Sequence, residues 1–278
     1  MRSTLIASPT AQRNLVLVLL LAVAAACWAW LLVQGGDGRG MNMAAMARPT
    51  MGLPAPAFLA MWVAMMVAMM FPTMAPMVLT FHRIQSAKRA RGEAFVATWV
   101  FVAGYTIVWA MAGIAAYLGA VAAEAIAAGL GLSAAATARI GGGFLVLAGI
   151  YQLTPYKNVC LAKCRSPIGF LLSAWRDGAM GALRMGFEHG AACLGCCWLL
   201  MVILFPLGIM NLGAMAIVTL LVFAEKALPW ERLAVWGAAG ALVLYGAVVI
   251  AVPRTLPTFI APMPGMTMQA GTMAPRRH

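Results

Sequence analysis

Charge is scarce in this sequence. Only 7 of its 278 residues are acidic and 3 are histidines, and charged residues make up 9% of the chain, against about 25% in a soluble domain. So few carboxylates exclude an array for hard cations or a proton relay. No Gly-rich phosphate-binding loop ending in Lys-Ser/Thr is present, which argues against ATP-driven pumping. No Ser/His/Asp set stands out for hydrolysis, and the sequence leaves open whether the chain catalyses a reaction.

Apolar residues dominate instead, at 64% of the chain, and the mean hydropathy is +0.91. A helix needs about 20 apolar residues to cross a bilayer. The sequence therefore predicts an all-α, polytopic transmembrane helix bundle of about seven helices, near residues 14–33, 57–80, 94–118, 137–155, 187–208, 210–227 and 233–252.

Three regions are predicted along the chain. Residues 1–56 combine an N-terminal transmembrane anchor with a Met-rich outer segment, residues 57–252 form the bundle, and residues 253–278 form a flexible Met-rich tail. A cleavable signal peptide is the alternative for residues 1–33. Retention is favoured because the run from Trp28 to Leu32 extends the apolar stretch beyond a usual signal core.

The net charge of +12 is a signal of topology, not of nucleic-acid binding. Most basic residues fall in the predicted loops that share a side with the N-terminus, including the cluster from Arg83 to Arg91 and the stretch from Lys157 to Arg184. In membrane proteins, loops rich in Lys and Arg remain on the cytoplasmic side. We therefore expect a multi-pass protein of the bacterial inner membrane, in contact with the lipid bilayer, with a cytoplasmic N-terminus and a periplasmic C-terminus.

The fifth apolar segment concentrates reactive side chains: His189, Cys193, Cys196 and Cys197. Such residues at lipid depth usually serve a function. At about 100° per residue, the first three share one helix face and Cys197 lies at its edge. Adjacent Cys196 and Cys197 are not expected to point at one centre from a regular helix, so one is a spare or the helix is distorted. Core packing is the alternative role for these cysteines.

The second segment carries two adjoining stripes of methionine, one with Met65 and Met69 and one with Met66 and Met70. Methionine is also an adaptable core filler. Thioethers are soft ligands that favour Cu(I), and we expect this helix to face the cysteine helix across one buried site. Further methionines, in the outer segment and the tail, are expected to collect metal outside: Met41, Met43, Met46, Met263, Met266, Met268 and Met273.

A second thiol pair, Cys160 and Cys164, lies in a predicted cytoplasmic loop. If that loop is helical, the two cysteines share a face and can take a soft metal at the cytoplasmic mouth. The basic residues beside them are expected to lower their pKa values. His82 ends the methionine helix on the same side, as a further ligand or an ordinary interfacial histidine.

Together these segments resemble a bacterial domain-of-unknown-function family of predicted metal-binding integral membrane proteins. The resemblance covers about residues 57–250 and rests on Met61-Trp62…Met65…Ala68-Met69-Met70…Pro72…Pro76, Gly186…Gly190…Cys193-x-x-Cys196-Cys197-Trp198…Met201, Met210-Asn211-x-Gly213-x-Met215 and Glu225-Lys226. Some members are regarded as copper chaperones for polyphenol oxidase-type enzymes, which implies copper handling here.

The sequence therefore predicts an integral membrane metal-binding protein, a Cu(I) chaperone or transfer protein. Its partner would be a copper-dependent enzyme or other subunits of a membrane complex. The alternatives are a membrane thiol-disulfide oxidoreductase that uses Cys193 and Cys196, and a structural subunit of a larger membrane complex. The ligand types do not separate Cu(I) from Ag(I), and they exclude Zn(II) only weakly.

Overall fold

The computed structural model describes residues 9–36 and 48–258. These residues form helices and no strand. The helices are α1 (Pro9–Gly36), α2 (Ala55–Ala90), α3 (Thr98–Gly129), α4 (Ala134–Gln152), α5 (Pro155–Arg165), α6 (Pro167–Ala174), α7 (Gly178–Val202), α8 (Leu204–Leu207), α9 (Leu212–Ala227) and α10 (Glu231–Ala251), followed by a 3₁₀ turn, Pro253–Thr255. The predicted all-α bundle is confirmed.

Within the described residues, six helical stretches are long and apolar enough to cross a membrane, which makes the chain a multi-pass membrane protein. They are Thr10–Gln34, Ala55–Ala90, Thr98–Gly129, Ala134–Gln152, Gly178–Leu207 and Glu231–Ala251. The remaining predicted segment, 210–227, forms α9 with 16 residues. At 1.5 Å per residue, α9 is about 24 Å long, shorter than the ~30 Å hydrocarbon core. Seven spans and termini on opposite sides therefore remain predictions.

Helix α2 is the most deeply buried of the six and contains two internal prolines. Pro72 has no N–H to donate to the carbonyl of Ala68. The indole of Trp28 in α1 supplies the missing donor, with Nε1 at 3.1 Å from the Ala68 oxygen. A buried carbonyl without a partner costs free energy, so this contact fixes α1 against α2.

Helices α3 and α7 approach each other through glycine. A Cβ added at Gly104 in α3 would lie 2.1 Å from the carbonyl oxygen of Leu183, and one added at Gly186 in α7 would lie 2.0 Å from that of Phe101. Only residues without a side chain let two backbones come this close. This contact places Tyr105 of α3 beside the cysteines of α7.

Candidate metal centre

The four predicted side chains of α7 all lie in the interior. His189 is 2% exposed, and Cys193, Cys196 and Cys197 are each 1% exposed. The thiols of Cys196 and Cys197 both donate to the carbonyl oxygen of Cys193, at 3.1 Å and 2.9 Å. Two adjacent cysteines therefore turn toward the same oxygen within one helix, an arrangement the helical angles alone did not predict.

Cys164 of α5 joins the cysteines of α7. Its thiol lies close to those of Cys193 and Cys196, and their proximity contributes to the shift of its pKa. Cys160 lies one turn earlier, where Gly195 leaves room for it: a Cβ at Gly195 would lie 2.7 Å from the Cys160 sulfur. The sequence placed the loop pair and the α7 cysteines in two separate sites, whereas the fold packs α5 directly on α7. We call Cys164, Cys193, Cys196 and Cys197 the thiol cluster.

The basic residues beside the loop pair do not lower the pKa of either thiol. Burial raises the pKa of Cys160 above its ordinary value. The neighbouring thiols of Cys193 and Cys196, together with burial, raise the pKa of Cys164 well above its ordinary value. The expectation from sequence was wrong because α5 turns this side into the protein, where desolvation outweighs attraction to cations near the surface.

Two polar groups contact Cys193 that sequence reasoning did not select. The amine of Lys226, from α9, lies 3.0 Å from the Cys193 sulfur, and the hydroxyl of Tyr105, from α3, lies 3.1 Å from it. Both are buried. The available signal was the Glu225-Lys226 pair at the end of an apolar segment, since ionisable residues within membrane segments usually face the bundle interior and pair with another group.

Glu225, next to Lys226 in sequence, belongs to a different buried pair. Its Oε2 lies 2.7 Å from Nζ of Lys157, and these side chains are 1% and 0% exposed. Gln152 donates from Nε2 to Oε1 of Glu225 at 3.0 Å, and Arg165 donates to the Glu225 carbonyl at 2.6 Å. These contacts hold α5, and with it Cys160 and Cys164, against α9.

His189 is enclosed by aromatic rings and lacks a hydrogen bond at Nδ1. Its ring centroid lies 6.0 Å from that of Phe101, 5.7 Å from that of Tyr105 and 5.4 Å from that of Phe170. Buried polar atoms are nearly always paired, so an unpaired imidazole nitrogen is available to a ligand. His189 also lies one helical turn before Cys193 on α7.

The methionines of α2 are buried as a group, with Met65, Met66, Met69 and Met70 each at most 2% exposed. Helix α2 packs mainly on α1 and α3, whereas α7 packs mainly on α3 and α5, and α9 contacts both. Within the described residues, the methionine helix α2 and the cysteine helix α7 are therefore not a closely packed pair. The methionines predicted to collect metal lie outside those residues.

Both ring nitrogens of His82 have a hydrogen-bonding partner. Nδ1 lies 3.1 Å from the hydroxyl oxygen of Thr98, and Nε2 lies 3.3 Å from that of Ser86. Because both ring nitrogens have a partner, these contacts fit the ordinary interfacial histidine that the sequence left as one of two alternatives.

Across residues 9–36 and 48–258, no three His, Cys, Asp or Glu side chains are grouped so as to hold a metal ion. The α7 members of the thiol cluster are instead held by the two thiol hydrogen bonds to the Cys193 carbonyl oxygen, and α5 brings Cys164 against them. Thiolate sulfur selects soft ions, and Cu(I) accepts as few as two sulfur ligands. The arrangement can therefore serve a soft ion of low coordination number, or it can exchange two thiols for a disulfide.

Comparison with known proteins adds one assignment. A family model described as PpoB2, copper chaperone, matches residues 59–249. This match takes in nearly all of α2, the whole of α3 to α9 and nearly all of α10, and so every residue of the thiol cluster. Searches of curated proteins and of solved structures gave no match.

Proposed function

Because the chain belongs to the PpoB2 copper chaperone family, we propose that it binds Cu(I) within the membrane through its thiol cluster and transfers it to a copper-dependent enzyme. One observation carries the proposal: α5 packs directly on α7, with the Cys160 sulfur 2.7 Å from a Cβ placed at Gly195, and this packing brings Cys164 close to Cys193 and Cys196. Thiols from two helices, far apart in sequence, therefore meet at one buried place inside a protein with a copper-related role.

The position of Cys164 supports handover as well as binding. Cys193 and Cys196 are buried, whereas Cys160 and Cys164 are partly exposed on a helix outside the six membrane spans. A copper ion bound by the α7 thiols can exchange onto Cys164 and then Cys160 without leaving sulfur. Each exchange makes one Cu–S bond as another breaks, so no free ion is released.

The methionines of α2 are proposed as a second, weaker set of ligands. Met65, Met66, Met69 and Met70 are buried in the same bundle, and neutral thioethers bind Cu(I) without losing a proton. The methionines of the outer segment and tail are proposed to collect copper on the periplasmic side of the bacterial inner membrane. His189, with its unpaired nitrogen, is proposed as an auxiliary ligand of the thiol cluster.

Copper stoichiometry tests the proposal. Protein purified in detergent, with thiols kept reduced, is loaded with Cu(I), and bound copper is measured by elemental analysis. We expect the Cys193→Ser/Cys196→Ser variant to lose bound copper and the Cys27→Ser variant to keep it. Cys27 is a matched control because it lies in α1 and shows no interaction with another thiol.

X-ray absorption on the loaded protein should show sulfur ligands that are lost with the α7 cysteines. Copper content near zero in both the wild type and the double variant would contradict the proposal.

A second candidate, a thiol-disulfide oxidoreductase, is favoured by the same thiol contacts. Oxidation of Cys193 and Cys164 to a disulfide would pass two electrons and two protons to a partner disulfide. This function predicts a mixed disulfide with the partner and no need for methionine. Replacing Met65 and Met69 should leave such activity intact but weaken a copper carrier.

A further inference from the structure

We propose that Lys226 makes the thiol cluster selective for monovalent soft cations, by supplying one fixed positive charge to a centre of two thiolates. This inference rests on the proposed function and deepens it. The amine of Lys226 lies 3.0 Å from the Cys193 sulfur. The side chain reaches this position from the last turn of α9 and is buried there.

Among residues 9–36 and 48–258, no carboxylate neutralises Lys226. No Asp or Glu forms an ion pair with Lys226 in the part of the chain that the structure describes. The nearest candidate in sequence, Glu225, is already engaged by Lys157 at 2.7 Å and by Gln152 at 3.0 Å. Sulfur is thus the partner of this lysine, and the charge of the ammonium is directed at the ligand atom itself.

The charge balance then depends on the ion. Two thiolates and Cu(I) carry a net charge of −1, which the ammonium of Lys226 brings to zero. Two thiolates and a divalent ion are already neutral, so the same ammonium leaves a charge of +1 in the protein interior. An uncompensated charge at a buried site is costly. In both cases the thiol protons pass to solvent and no electron is transferred.

Tyr105 reinforces the preference for Cu(I) without changing the net charge of the centre. Its hydroxyl, 3.1 Å from the Cys193 sulfur, can donate to a negative centre while remaining neutral itself. A hydrogen bond to an ionised acceptor is about twice as strong as one between neutral groups. The anionic Cu(I) centre therefore gains more from Tyr105 than a neutral divalent centre does.

Hg(II) is the matched divalent probe, because it also binds two thiolates but carries one more charge. Cu(I) affinity is measured by competition with bathocuproine disulfonate. Hg(II) affinity is measured by competition with dithiothreitol, followed by thiolate-to-metal absorption in the near ultraviolet. The variants are Lys226→Met, which removes the charge at similar length, and Lys226→Arg, which keeps it. The control, Lys163→Met, removes a lysine that is exposed on α5 next to Cys164.

We expect Lys226→Met to lower Cu(I) affinity relative to Hg(II) affinity by about tenfold or more, since charges a few ångströms apart interact strongly when buried. Lys226→Arg should restore the ratio, and Lys163→Met should leave it unchanged. A general loss of packing would weaken the binding of both ions together and would leave the ratio of Cu(I) affinity to Hg(II) affinity unchanged. Lys226→Gln is a second neutral variant in case the methionine variant does not fold.

The two hypotheses fail differently. An unchanged Cu(I)-to-Hg(II) ratio in folded Lys226→Met or Lys226→Gln protein would overturn the selectivity role, while cysteine-dependent Cu(I) binding by the wild type would still stand. A wild type that binds no Cu(I) would overturn the proposed function itself.

Discussion

The glycine contact between α3 and α7 gives the most direct test of how the site is held. In Gly104→Ala, the added Cβ would lie 2.1 Å from the Leu183 oxygen, whereas an ordinary contact between carbon and oxygen is about 3.3 Å. The helices must therefore separate by roughly 1.2 Å at this point. Because the clash is with backbone, no side-chain rotation relieves it.

The expected cost follows from two opposing effects. Overpacking of a tight interior costs about 1–3 kcal/mol, and replacing glycine by alanine within a helix returns up to about 1 kcal/mol. We expect a net loss of about 1–2 kcal/mol, equivalent to a fall in melting temperature of about 2–8 °C at this chain length. The hydrogen bond between Tyr105 and Cys193 should lengthen as well, because Tyr105 adjoins the substituted position.

The matched control is Gly119→Ala in the same helix, where no atom lies within 4 Å of the added Cβ. Thermal unfolding of both variants in detergent, followed by tryptophan fluorescence, makes the comparison. The control should melt at or slightly above the wild-type temperature. If Gly104→Ala melts as high as Gly119→Ala, the backbones of α3 and α7 do not approach as closely as described.

Three further changes have defined outcomes. Lys157→Met should cost about 3–5 kcal/mol because Glu225 keeps a buried charge without its cationic partner, and adding Glu225→Gln should recover most of that loss in thermal unfolding. Trp62→Phe removes an indole donor 3.0 Å from the Trp109 oxygen and should cost about 1–3 kcal/mol by the same assay, and an unchanged melting temperature would contradict that bond. Cys164→Ser should reduce copper retained against a competing chelator while leaving the melting temperature nearly unchanged, and full retention would remove Cys164 from the site.

Much of the fold was predictable because the bilayer imposes simple rules. Long apolar runs identified each spanning helix, since backbone groups in lipid must bond within a helix. The internal partner for the carbonyl freed by Pro72 was also foreseeable, although its identity as Trp28 was not. That pairing joins residues 40 positions apart, and periodicity along one helix carries no information about a neighbouring helix.

The site was predictable only in part, for the same reason. Helical spacing singled out His189, Cys193 and Cys196 because they share one face of α7. It did not show that α5 packs against that face, so Cys164 was assigned to a different site. Lys226 was passed over because a lysine at the end of an apolar segment usually reaches toward water. Here it points inward, since its partner Cys193 is supplied by another helix.

Helix α9 has a consequence for how the protein is made. It is only 16 residues long and carries Glu225 and Lys226 in its last turn, which makes it a poor candidate to enter lipid alone. Glu225 pairs with Lys157 and Lys226 pairs with Cys193, and both of these partners precede α9 in the chain. Because synthesis begins at the N-terminus, Lys157 and Cys193 are made before Glu225 and Lys226. A nascent chain stopped just before residue 212 would contain α5 and α7, with Lys157 and Cys193 not yet paired. The proposed copper site is therefore complete only after α9 has been synthesised.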